Sequence, residues 1–96
     1  MRVARRYLIS GRVQGVGFRY FVYETALRER VGGWVRNAPA GHVEALAEGD
    51  AAALDRFERQ LRVGPPASRV DRVDAVDVTD STNPTASGRD AVFEIR

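Results

Sequence analysis

The chain has 96 residues, 44% hydrophobic and 29% charged, with a formal net charge of +2; that suits a single domain over residues 1–96 and is too short for two. With no cysteine and one histidine, disulfides, thiolate nucleophiles and cysteine- or imidazole-based metal clusters are excluded. No apolar run reaches the length of a membrane span, and Met1-Arg2-Val3 does not open a signal peptide, so a cytoplasmic protein with no membrane attachment is expected.

Ala4 to Ser10 reads as a strand, with Tyr7 and Ile9 on one face and Leu8 on the other. Gly11 to Gly17 is a glycine-punctuated loop. Phe18 to Val31 has helical character, with Val22, Tyr23, Ala26 and Leu27 along one arc and Glu24, Arg28 and Glu29 opposite, and Gly32-Gly33 ends it. Gly33 to Ala38 is a second strand, Pro39-Ala40-Gly41 a turn, and His42 to Glu48 a third strand with Glu44 and Glu48 on its exposed face.

Asp50 is a good N-cap for a second helix, in which Leu54, Phe57 and Leu61 recur at core spacing before Gly64-Pro65-Pro66 stops it. Arg69 to Val78 is a fourth strand, where the step from Val73 to Val76 suggests a bulge. Thr79 to Asp90 is a polar loop and Ala91 to Ile95 a short closing strand. The order predicts an α+β, ferredoxin-like βαββαβ sandwich, an antiparallel sheet carrying both helices on one face.

The chemistry is bounded first by what is missing. No serine sits in a nucleophile elbow, no Gly-Lys-Ser/Thr follows the loop, and Tyr20 occupies the third glycine position of a dinucleotide fingerprint. Water is therefore the default attacking group. Every basic residue is arginine, and the longest basic run is Arg5-Arg6, so a mixed-charge surface is expected and nucleic acid is not.

The informative stretch is Gly11 to Arg19, in which glycines would let backbone N–H groups converge just before a helix begins. No Ser, Thr, Asp or Asn caps that helix, and Arg19 lies in its first turn, where a cation opposes the helix dipole. A bound anion would relieve both faults. The same residues also suit an ordinary glycine-rich turn beside a solvent-facing arginine, and loop pattern alone does not separate the two. In the second stretch, Gly33 to Glu44, Asn37 by itself reads as a turn former and Trp34 as sheet-face packing.

Taken together, the two stretches resemble the acylphosphatases. Val13-Gln14-Gly15-Val16-Gly17-Phe18-Arg19 is similar to the first signature of that family. Gly33-Trp34-Val35-Arg36-Asn37 with Gly41-His42-Val43-Glu44 is similar to the second, and the likeness runs on through Ala47-Glu48-Gly49 and Gly64-Pro65-Pro66. The resemblance implies hydrolysis of acyl phosphates to a carboxylate and inorganic phosphate, without metal or organic cofactor, by a monomer. It places the phosphate-binding loop on Gln14, Gly15, Val16, Gly17 and Phe18, the phosphate-binding arginine on Arg19 and the water-positioning asparagine on Asn37.

Two departures from the family pattern bear on local backbone. Ala40 stands where an aspartate usually precedes the turn glycine, and Glu29-Arg30 stands where the first helix usually finishes in leucine-glycine. Two rival readings remain. The domain also resembles the amino-terminal part of hydrogenase maturation carbamoyltransferases, which would make it a non-catalytic anion-binding or carbamoyl-phosphate-handling module. Those chains continue into cysteine-rich segments, and with no cysteine here a stand-alone enzyme is expected. A ferredoxin-like RNA-binding module would need more exposed strand aromatics than Tyr7 and Trp34.

Overall fold

The structure is a computed structural model and describes residues 1–78 and 92–96. The elements are β1 (Arg2–Arg12), α1 (Phe18–Glu29), β2 (Gly32–Asn37), a 3-10 turn (Pro39–Gly41), β3 (Val43–Asp50), α2 (Ala51–Val63), β4 (Arg69–Asp77) and β5 (Phe93–Ile95). The sheet order is β4-β1-β3-β2-β5. All neighbours are antiparallel except β2 and β5, which run parallel, so the sheet is mixed where a wholly antiparallel one was expected. With β4 at one edge, the free edge for the closing strand lies beside β2. The polar loop expected over Thr79 to Asp90, and Ala91 at the head of the closing strand, lie outside the described residues.

The core sits between the sheet and the two helices. Strand alternation turns Tyr7, Ile9, Val35, Val43, Ala45 and Val73 to the helical side, where they meet Phe18, Val22 and Ala26 of α1 and Leu54, Phe57 and Leu61 of α2. Tyr7 packs against Phe57, and Phe57 against Phe93, at ring centroid separations of 5.6 and 6.2 Å. α2 follows its apolar period closely and is capped by Asp50, whose carboxylate accepts from the Ala52 N–H at 3.2 Å.

α1 departs from its expected face. Thr25 is buried and Leu27 is 55% exposed. Thr25 can sit inside because its hydroxyl donates to the Phe21 carbonyl one turn back at 2.8 Å, leaving no unpaired donor. The helix also ends earlier than Gly32-Gly33, which belong to β2. The Val31 N–H donates to the Ala26 carbonyl at 3.0 Å and the Arg30 N–H to the Leu27 carbonyl at 3.3 Å, with Arg30 at φ 56° between them. This is a Schellman closure with arginine in the glycine position.

Two further expectations need correcting. The register irregularity of β4 falls opposite Ser10/Gly11, where Gly11 pairs with Val70 and Ser10 with Arg72, leaving Asp71 extra. A Cβ on Gly11 would fall on the Arg69 carbonyl, so the shift occurs where backbones approach most closely. Pairing from Val73 to Asp77 is regular, and Val76 is simply on the outer face. Glu48 is only 7% exposed: as part of an interior strand it lies between Ala4 of β1 and Gly32 of β2.

Candidate active site

β1 leads directly into the loop over residues 13–17, and the loop into α1. Gly15 at φ 75° and Gly17 at φ 79° turn the chain in the left-handed region, and nothing lies within 4 Å of where their Cβ atoms would be. Glycine is thus needed for backbone conformation, and the space beside it stays open. Gly17 is the N-cap of α1 and supplies no side-chain cap. The first intrahelical bond is from the Phe21 N–H to the Gly17 carbonyl, at 3.1 Å. The N–H groups of Phe18, Arg19 and Tyr20 precede it, and α1 has no acidic residue in its first turn.

β2 brings the second half of the site. Its inward residues are Gly33, Val35 and Asn37, so the same alternation that buries Val35 turns Asn37 toward α1. Trp34 and Arg36 face the other way: the Arg36 and Arg96 guanidinium carbons lie 6.0 and 5.1 Å from the Trp34 ring centroid, and Arg36 also pairs with Glu44 at 2.6 Å.

Between loop, helix and strand lies a cavity of about 250 Å³ lined by Gly15, Gly17, Phe18, Arg19, Tyr20, Asn37 and Ile95. Among the described residues Arg19 is the only charged side chain in this lining, and no carboxylate shares it. Phe18 is 1% exposed with its ring in the core, so it offers the cavity its backbone. Arg19 is oriented by β5: its Nη1 donates to the Arg96 carbonyl at 3.0 Å, while the Arg96 N–H donates to the Val35 carbonyl at 2.8 Å. One guanidinium hydrogen bond of five is thereby engaged. The space combines open backbone donors, one cation and one neutral amide, which suits a small anion. Among the described residues no group of three or more His, Asp or Glu side chains is gathered to hold a metal ion.

The acylphosphatase family model matches residues 5–95. The chain belongs to the acylphosphatase family. Acylphosphatases are hydrolases, and the similarity extends to individual relatives. An acylphosphatase of Koribacter versatilis is 54% identical over 67 residues, which are 70% of this chain and 61% of that relative, less than two thirds of its length. One from Rubrobacter xylanophilus is 46% identical over 91 residues, covering 95% of this chain and 77% of the relative. The crystal structure of acylphosphatase from Bacillus subtilis superposes with a TM-score of 0.87 at 36% identity, covering 98% of each chain. The ferredoxin-like α+β fold of the acylphosphatases is therefore the fold of this chain.

Of the residues expected in an acylphosphatase site, Gly15, Gly17, Phe18, Arg19 and Asn37 come together in the cavity. Val16 and Gln14 do not line it. Val16 packs against the core, and the Gln14 amide donates to the Ala38 and His42 carbonyls at 2.9 and 2.8 Å. Tyr20 and Ile95 were missed. Tyr20 follows Arg19 in the first helical turn and could have been read from that position; Ile95 reaches the site only because β5 pairs with β2.

Proposed function

We propose that this chain hydrolyses the carboxyl-phosphate bond of acyl phosphates, releasing a carboxylate and inorganic phosphate. The observation that carries the reading is one small cavity where a glycine loop and a helix start meet Arg19 and Asn37, with no acid among the described residues that line it. The substrate phosphoryl oxygens accept from the N–H groups of the loop and of the α1 start, and pair with the Arg19 guanidinium. Asn37 holds a water in line behind phosphorus. An amide is a poor base, so its task is placement, and a phosphoryl oxygen of the substrate takes the water proton. The leaving carboxylate needs no protonation. Fixed positive charge stabilises the charge spread over the transferring group. No metal takes part in this scheme.

The test is hydrolysis of benzoyl phosphate by the purified protein in excess EDTA, beside Arg19→Ala and Asn37→Ala. The wild type should turn over in chelator, and each variant should lose ~10²-fold or more. Arg19→Ala should also bind inorganic phosphate more weakly, whereas Asn37→Ala should bind it as the wild type does. Near-wild-type turnover by either folded variant would refute the assigned roles. A folded wild type that binds phosphate without hydrolysing acyl phosphate would instead be an anion-binding module.

A further inference from the structure

Gln14 directly precedes Gly15 in the loop over residues 13–17 and is half-buried. Its side-chain nitrogen donates to the Ala38 carbonyl at 2.9 Å and to the His42 carbonyl at 2.8 Å. Both partners are carbonyl oxygens, which only accept, so the amide orientation is dictated: the NH₂ faces the turn and both its hydrogens are engaged. None is left for a ligand oxygen.

The two acceptors bracket the turn that follows Asn37. The Ala38 N–H donates to the His42 carbonyl at 2.8 Å, and Asn37 pairs with Val43 across the β2–β3 ladder. Ala38 is therefore held at both its N–H and its C=O, and the second hold comes from Gln14. The turn between them contains Ala40 at φ 66° and Gly41 at φ 88°, a left-handed pair. Asn37 is exposed and lines the cavity, and its side chain makes no hydrogen bond among the described residues. Its position rests on the backbone around it.

We propose that Gln14 is a positioning residue for Asn37, a strut that fixes the distance between the phosphate loop and the amide holding the attacking water. The proposal rests on the reaction assigned above. One side chain thereby links the segment that receives phosphorus to the segment that presents water, and displacements of about 1 Å between reacting groups can cost on the order of 10²-fold in rate.

The experiment compares wild type, Gln14→Met and Gln14→Glu, alone and in an Asn37→Ala background, with thermal melting as the check on folding. Methionine keeps the volume without a donor; glutamate places an acceptor against two carbonyls. For benzoyl phosphate, kcat should fall ~10- to 100-fold in both single variants. The inhibition constant for inorganic phosphate should stay within about twofold, since Arg19 and the loop N–H groups remain. In the Asn37→Ala background Gln14→Met should cost nothing further, because its effect passes through Asn37. Wild-type kcat in folded Gln14→Met, a parallel loss of phosphate binding, or fully additive losses would each overturn the proposal. A readout independent of turnover is the Asn37 side-chain NH₂ resonance in ¹⁵N-labelled protein. It should shift in Gln14→Met; an unmoved signal would refute the strut even if the chain proved not to hydrolyse acyl phosphates, a failure that would be seen separately in the wild type.

Discussion

Arg30 and Ala40 hold left-handed backbone, at φ 56° and φ 66°, without being glycine. That conformation brings Cβ against the following carbonyl and costs an ordinary residue about 1–2 kcal/mol. Both lie where the sequence departs from the acylphosphatase pattern, and neither residue lines the cavity. Arg30→Gly should raise stability by about 1 kcal/mol, or ~4–8 °C in Tm, by calorimetry; an unchanged or lower Tm would show that the arginine side chain compensates. Ala40→Asn should gain about 0.5–1 kcal/mol by urea titration, since asparagine tolerates this region. A loss in that titration would place the difficulty in the turn's surroundings. The positions of these positive φ angles depend on where α1 stops and on the turn closed from Ala38 to His42, so sequence spacing alone left them as suspicions about backbone.

At the scale of the element, the two helix starts form a contrast. α2 closes its own N-terminus: Asp50 accepts from Ala52 and pairs with the Met1 ammonium at 3.0 Å, and these contacts hold its carboxyl below the usual range. α1 has a glycine cap, no acid in its first turn and an arginine in the cavity lining, so its own side chains do not cap its start, and in the proposed function the phosphate does so. Because the Asp50 pKa is lower folded than unfolded, its contribution is present above the ordinary carboxylate pKa and is lost as pH falls through the folded value. In melts across pH 2–7, wild type should exceed Asp50→Asn near neutrality and lose that lead as Asp50 protonates. A lead that did not vary with pH would mean that capping geometry, and not charge, is what matters. α2 was legible because its apolar spacing and its stop signals agree. α1 was harder, because Thr25 satisfies its own hydroxyl and takes an inside position while Leu27 stays outside.

Across the whole molecule, sheet order decides both core and site. β5 docks parallel to β2, bringing Ile95 to the cavity, the Arg96 carbonyl to Arg19 and Phe93 onto Phe57. Within the core the Tyr7 hydroxyl is buried and has no hydrogen-bond partner among the described residues. Burial, and after it the nearby Glu58 carboxylate, push its pKa up to about 12, partly opposed by Arg5. Arg5 itself is committed to Asp55 of α2 and Asp77 of β4, at 2.9 and 3.1 Å. Removing an unpaired buried hydroxyl relieves desolvation without opening a large void, so Tyr7→Phe should leave stability unchanged or raise it by up to about 1 kcal/mol. A destabilisation above about 1 kcal/mol in urea would reveal a partner for that oxygen.

The sequence by itself determined the order of helices and strands, the glycine loop, the capped second helix, and Arg19 and Asn37 as the residues to watch. These are consequences of local rules: period, capping and turn chemistry act over a few residues and can be read over a few residues. Only the tertiary structure decided that Arg19 and Asn37 share one cavity, that Gln14 spends its amide on the Ala38 and His42 carbonyls, and that Ile95 joins the cavity wall. Those outcomes require segments far apart in sequence to meet. Which edge accepts β5, and which backbone carbonyls face a given side chain, is set by the packing of the whole sheet.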